Sequence, residues 1–107
     1  MPVLVDATID GVARKLVLQA SRNGYYFTLD RTNGKNLVTS SFATVNWASG
    51  LDQNGRPIQT PQPPGQVTYP GQQGGTNWWS PSYSPRTGLF YVGVWENVGG
   101  VFTSQPA

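Results

Sequence analysis

The 107-residue chain contains no histidine and no cysteine, and only 11% of its residues are charged. The absence of histidine removes the commonest general base and the commonest metal ligand together. The absence of cysteine excludes a disulfide frame and a thiolate metal site, and leaves the compartment open. An average globular chain is about 25% charged, so this surface has little protection against association. The net charge is +2, and Arg14, Lys15, Arg22, Arg31, Lys35, Arg56 and Arg86 never form a run. That scatter excludes a nucleic-acid-binding stripe. No apolar run approaches the length of a membrane span, and no signal peptide is expected before the first strand. Convincing helical periodicity is missing as well.

What the chain has is turn chemistry. Thirteen glycines and nine prolines in a length that suits one domain at most favour short strands over helices. Lys15–Ala20 reads as a strand, Arg22-Asn23-Gly24 as a tight turn and Tyr25–Asp30 as the returning strand. A further turn at Thr32–Lys35 leads into a third strand near Asn36-Leu37-Val38. Thr44–Ala48, Ser80–Tyr83, Leu89–Trp95 and Val98–Thr103 are the remaining strand expectations. From Pro57 to Gly75 the chain is mostly Pro, Gly and Gln, which predicts a long loop.

Two local features point toward function. Gly74–Pro85 sets two adjacent tryptophans and an amide, Asn77-Trp78-Trp79, in a nearly uncharged, turn-rich segment. Neighbouring indoles in such a segment either stack on something flat or fill a core at a strand end. The second feature is an echo. Leu29–Lys35, Leu51–Arg56 and Tyr83–Gly88 are three versions of one turn, each running from Asp or Ser through polar residues to Gly. Recurrent strand–turn units predict a propeller or a similar array, in which each sheet needs neighbours to cover its faces.

The turns resemble the Ala-x-Asp-x-x-Thr-Gly-x-x-x-Trp docking motif of quinoprotein alcohol dehydrogenases. The first copy keeps Asp30 and Gly34 but has Thr28, Asn33 and Val38 at the Ala, Thr and Trp positions, and the last keeps Thr87-Gly88. Longer stretches carry the resemblance further: Pro2–Asp6, Lys15–Lys35, Val45–Gly50 and Gly74–Val94 keep the family's order and spacing over nearly the whole chain. The resemblance implies an internal section, past the midpoint, of an eight-bladed propeller. The expected fold is therefore all-β, with antiparallel blade-type sheets amounting to about one and a half to two blades, completed by self-association. The implied division is a first blade region at 1–56, a Pro/Gly/Gln loop at 57–75 and a second blade region at 76–107.

The family uses pyrroloquinoline quinone (PQQ), held flat between a tryptophan and a ring of adjacent cysteines, with a calcium or lanthanide ion in its plane. An aspartate takes the alcohol proton as hydride moves to the quinone. By resemblance, Arg22 matches the Arg or Lys that hydrogen-bonds the reactive carbonyls, Asn77 matches the polar residue at the cofactor edge, and Trp78 neighbours it. The catalytic Asp, the metal ligands, the paired cysteines and the tryptophan floor have no counterpart in this chain. Asp6, Asp10, Asp30, Asp52 and Glu96 fall at strand ends or turns, where acidic residues serve the backbone. The isolated chain is thus expected to bind no quinone and no metal and to be inactive alone. Homo-oligomerisation is expected, with no nucleic-acid or membrane partner, and the parent family is periplasmic. The alternative is a stand-alone oligomeric β-protein, or a small-molecule- or sugar-binding module, descended from such a section.

Overall fold

The computed structural model describes residues 1–101, and every regular element in them is a strand. β1 (Val3–Ile9), β2 (Val12–Ala20), β3 (Tyr25–Asp30) and β4 (Asn36–Ser41) form one antiparallel sheet in chain order. β5 (Ala48–Leu51) pairs with β6 (Pro57–Gln59), β8 (Ser82–Ser84) with β9 (Leu89–Tyr91), and β7 (Val67–Thr68) with β10 (Gly100–Val101). The four-stranded sheet is the largest, and the β8–β9 hairpin is separate from it.

Register decides which side chains reach the core. Val3 lies opposite Leu18 and Val5 opposite Leu16, so these residues share one face, and Thr28 and Asp30 of β3 continue it. Val5, Leu16 and Leu18 are 7%, 3% and 4% exposed, and Tyr83 and Phe90 of the β8–β9 hairpin pack on them. Tyr26 meets Phe90 at a ring distance of 5.3 Å, which carries the contact between the two sheets.

The three echoed turns each end on a left-handed glycine whose amide closes the turn, over four residues at Gly34 and Gly88 and over three at Gly55. Gly34, Gly55 and Gly88 have φ of 76°, 76° and 71°, and their amides donate to Asp30 O, Asp52 O and Ser84 O at 2.7, 3.0 and 2.8 Å. The β1–β2 connection differs. There Asp10 and Gly11 both have positive φ, 50° and 79°, which is the two-residue turn that suits a right-twisted hairpin.

Asp30 joins the turn to the sheet. It is 6% exposed, and its Oδ1 accepts the Thr32 amide at 2.9 Å and the Thr32 hydroxyl, while Arg14 donates to Oδ2 at 3.0 Å. The neighbouring Arg31 crosses the other way, donating to Val5 O and Leu16 O at 3.2 and 3.1 Å and to Asp6 at 2.8 Å. Consecutive residues thus tie three strands together.

Several strand expectations shift. Thr44–Ala48 is not a strand up to Ala48; the strand there is β5, from Ala48 through Ser49-Gly50 to Leu51. The reason is that residues 44–47 are held by other partners. The Asn46 side chain takes Val67 O and Tyr69 N, both at 2.7 Å, the Trp47 indole donates to Asn23 O, and the Thr44 amide donates to Glu96 at 2.6 Å. The Pro57–Gly75 loop contains β6 and β7. Pairing after Leu89 stops at Tyr91 instead of Trp95, and the β8 strand is Ser82–Ser84 instead of Ser80–Tyr83. Of the Val98–Thr103 strand, Gly100–Val101 is paired, and Phe102 and Thr103 lie outside the described residues. β1 has no counterpart among the strand expectations, although Asp10-Gly11 is a strong hairpin signal.

Thr32's hydroxyl and amide, with Arg14, hold the Asp30 carboxyl below its ordinary range. A depressed folded-state value stabilises the fold above the unfolded carboxylate range of about 4 and is lost as pH falls through the folded value. Asp30→Asn is therefore expected to lower the urea midpoint at neutral pH. Acid titration of unfolding should then narrow the gap between wild type and variant as Asp30 protonates.

Candidate functional site

Arg22 sits in the four-residue connection Ser21–Gly24 between β2 and β3. Ser21 N donates to Tyr25 O at 2.9 Å and Gly24 N to Ser21 O at 3.1 Å, which closes the turn. Trp47 supports it from the side: its indole N–H donates to Asn23 O at 2.8 Å, and its ring meets Tyr25 edge-on at 5.7 Å. The arginine is left at the exposed tip of a braced turn.

A second segment lies directly against that tip. Gly75 N donates to Arg22 O at 2.9 Å, and Gly75 O accepts Trp95 N at 2.8 Å. This approach needs glycine next door: Gly74 has φ +82°, and a Cβ there would stand 2.6 Å from Arg22 O. Neither the conformation nor the space admits a side chain. The guanidinium donates to Gln72 O, and the Asn77 amide donates to Gln73 Oε1 at 3.2 Å. Consecutive residues Gln72 and Gln73 thereby restrain Arg22 and Asn77. Asn77 is two residues beyond Gly75, at most about 7 Å of chain.

The tryptophans divide. Trp79 stacks edge-on to Trp95 at 4.8 Å and to Trp78 at 5.8 Å. Trp78 is 73% exposed and Trp79 37%. The reading that both indoles fill a core fails for Trp78, which offers its surface to solvent from a firm aromatic base. Arg22, Asn23, Trp47, Thr68, Pro70 and Gln72 line a shallow cleft of about 440 Å³ that neither Asn77 nor Trp78 lines.

The residues that the sequence reading missed are the braces: Trp47, Gln72, Gln73 and Trp95. The Gly74-Gly75 pair was the available signal, since paired glycines mark a close backbone approach. Thr76 is also new. It is 3% exposed, and its hydroxyl has no hydrogen-bond partner among the described residues, an uncommon state for a buried polar group. The acidic residues are engaged in structure. Asp6 pairs with Arg31, Asp52 accepts the amides of Asn54 and Arg56, and Glu96 accepts those of Thr44 and Asn97. Among the described residues no group of three or more His, Cys, Asp or Glu could hold a metal ion.

The described residues thus form a series of antiparallel hairpins in which the Gly75 segment is hydrogen-bonded to the Arg22 turn. Known proteins give that series a place. The chain is 46% identical over 93 residues to 1-butanol dehydrogenase (cytochrome c) of Thauera butanivorans, covering 83% of this chain and 14% of that protein. It is 44% identical over 95 residues to the quinohemoprotein alcohol dehydrogenase of Comamonas testosteroni, covering 84% and 13%. The crystal structure of that Comamonas enzyme superposes with a TM-score of 0.80 at 43% identity, over 85% of this chain and 14% of the enzyme. A europium-containing methanol dehydrogenase superposes with a TM-score of 0.79 at 32% identity, over 86% and 17%. Comparison with protein-family models gave no match. The chain belongs to the quinoprotein alcohol dehydrogenase family, whose β-propeller it matches in one section, and it spans 13–14% of the length of these two curated relatives.

The packing of Gly74 on Arg22 is open to a direct check. Gly34→Ala has open space around it and is expected to cost about 1 kcal/mol for its left-handed backbone alone. Gly74→Ala adds the overlap with the Arg22 backbone and should cost at least about 2 kcal/mol. Urea titration of the two variants reads the difference.

Proposed function

We propose that this chain is a section of a PQQ-dependent alcohol dehydrogenase that supplies part of the quinone-binding pocket, through Arg22, Asn77 and Trp78. The observation that supports the proposal is the hydrogen-bonded seam Arg22–Gly75–Trp95, which sets the segment leading to Asn77 and Trp78 against the Arg22 turn. The donor set fits one side of a flat, carboxylated quinone. Arg22 offers guanidinium N–H groups from an exposed tip anchored at Gln72 O, Asn77 offers an amide, and Trp78 offers an indole face. The unpartnered Thr76 hydroxyl lies within the same segment.

When bound, the quinone supplies the hydride acceptor. The protein's own contribution is electrostatic and positional. A fixed guanidinium stabilises negative charge on the carbonyl oxygens it faces, and its backbone anchoring means that little reorganisation is needed. The base and the metal site of the family belong to parts of the enzyme other than this chain, so the chain alone is inactive. A complete enzyme would be periplasmic. The two blade regions, 1–56 and 76–107, are joined by 57–75, and the isolated chain self-associates.

Replacing the matching section of the Comamonas testosteroni enzyme with this chain tests the reading. The chimera should oxidise alcohol, and Arg22→Ala within it should lower kcat by about 10²–10³ with the quinone still bound. A loaded Arg22→Ala chimera that turns over at the parent rate would contradict the assignment. The isolated chain, given PQQ and calcium, should reduce no acceptor dye.

A second reading, a stand-alone oligomeric module that stacks a small flat molecule or a sugar, draws on the exposure of Trp78. It predicts Trp78-dependent ligand binding in the isolated chain, read by quenching of indole fluorescence.

A further inference from the structure

The connection Ser21–Gly24 has four backbone carbonyls, and each of them accepts a hydrogen bond. Gly24 N returns to Ser21 O at 3.1 Å, Gly75 N reaches Arg22 O at 2.9 Å, and Phe42 N reaches Gly24 O at 2.9 Å. Those three bonds run from backbone to backbone, so they follow the path of the chain and need no particular side chain. Asn23 O is different. Its donor is the indole N–H of Trp47, 24 residues away, at 2.8 Å. The peptide next to Arg22 is therefore held by the identity of one residue.

Trp47 is itself a fixed post. Its ring meets Tyr25, which is 5% exposed, edge-on at 5.7 Å. Its carbonyl accepts Thr60 N at 2.8 Å. The preceding Asn46 bonds Val67 O and Tyr69 N through its side chain and Tyr69 O through its amide. The same stretch continues to Gln72, whose carbonyl takes the Arg22 guanidinium. The main chain beside Arg22 and the guanidinium itself are thus anchored to one stretch, 46–72. Val45 closes on the turn as well: Gly24 has φ +92°, and a Cβ there would stand 2.6 Å from Val45 Cγ2.

We infer that Trp47 is a positioning residue for the quinone chemistry and acts through Arg22. Its indole N–H fixes the Asn23 peptide and thereby the direction in which the guanidinium leaves the turn. This rests on the reading of Arg22 as the residue that faces the quinone carbonyls. A guanidinium stabilises growing negative charge best when it is already aimed, and small misplacements of a positioned group are costly in rate. Without the indole, Asn23 O loses its donor and is free to turn toward water, and Arg22 turns with it.

The test uses the chimera that carries this chain in the Comamonas testosteroni enzyme. Trp47→Phe keeps an aromatic ring beside Tyr25 and removes the N–H. It should load the quinone and lower kcat about tenfold, the effect of roughly one hydrogen bond. It should also shift the absorption band of the bound quinone, recorded before alcohol is added, in the direction that Arg22→Ala shifts it. In an Arg22→Ala background Trp47→Phe should change neither readout further, because no guanidinium is left to aim. Val5→Ala, a core truncation in β1, should lower the melting temperature and leave kcat and the band unchanged. Should Trp47→Phe fail to load the quinone, a benzothienyl side chain at position 47, which keeps the size of the indole and lacks the N–H, reads the same bond. Parent kcat and an unshifted band in a loaded chimera without the N–H overturn the inference. So does a loss of the same size with and without Arg22. If Arg22→Ala itself changes nothing, the quinone-pocket reading fails; if Arg22→Ala acts and Trp47→Phe does not, the positioning role alone fails.

Discussion

The site proposed for this chain depends on the two hydrogen bonds of Gly75. Its amide donates to Arg22 O and its carbonyl accepts from Trp95 N, so the end of the Pro/Gly/Gln stretch is sewn between a hairpin tip and the backbone at Trp95. Without that seam Arg22 would be a solvated arginine on a turn, and Asn77 and Trp78 would belong to an unrelated loop. With it, the segment that leads to Asn77 and Trp78 is held against the Arg22 turn. The cost is borne by Gly74, whose left-handed backbone and lack of a side chain make the approach sterically possible.

The blade carrying the tip is rigid for ordinary reasons. Alternation along β1 and β2 puts Val5, Leu16 and Leu18 on one face, and Asp30 and Arg31 then tie the strands by side-chain bonds to backbone and to opposite charges. The chain is short of charge, and Arg14 with Asp30 and Arg31 with Asp6 spend theirs on each other within the sheet.

Much of this was legible in the sequence. β3 lies where its run of aromatic and branched residues put it, and the three Asp/Ser-to-Gly turns close three hairpins with nearly the same glycine φ. The family was legible too, since order and spacing survive over most of the chain. What was not legible depends on tertiary partners. Residues 44–47 have strand composition, yet Asn46 and Trp47 give their side chains to the loop at 67–69 and to the Arg22 turn. β6 and β7 pair only because their partners arrive from elsewhere, which a stretch of Pro, Gly and Gln does not announce. Within the site, Arg22, Asn77 and Trp78 could be picked out by resemblance, but the braces at Gln72, Gln73 and Trp95 could not, because backbone carbonyls and ring edges leave no motif.

Amide hydrogen exchange on the isolated chain tests the central claim most directly, because it reads the Gly75 seam without needing a cofactor. The account predicts that the Gly75 and Trp95 amides exchange as slowly as amides of the β2–β3 ladder, since they open only with the sheet. Exchange of both at the rate of an unstructured loop would mean that the seam does not persist in solution, and that the segment leading to Asn77 and Trp78 is not held against the Arg22 turn.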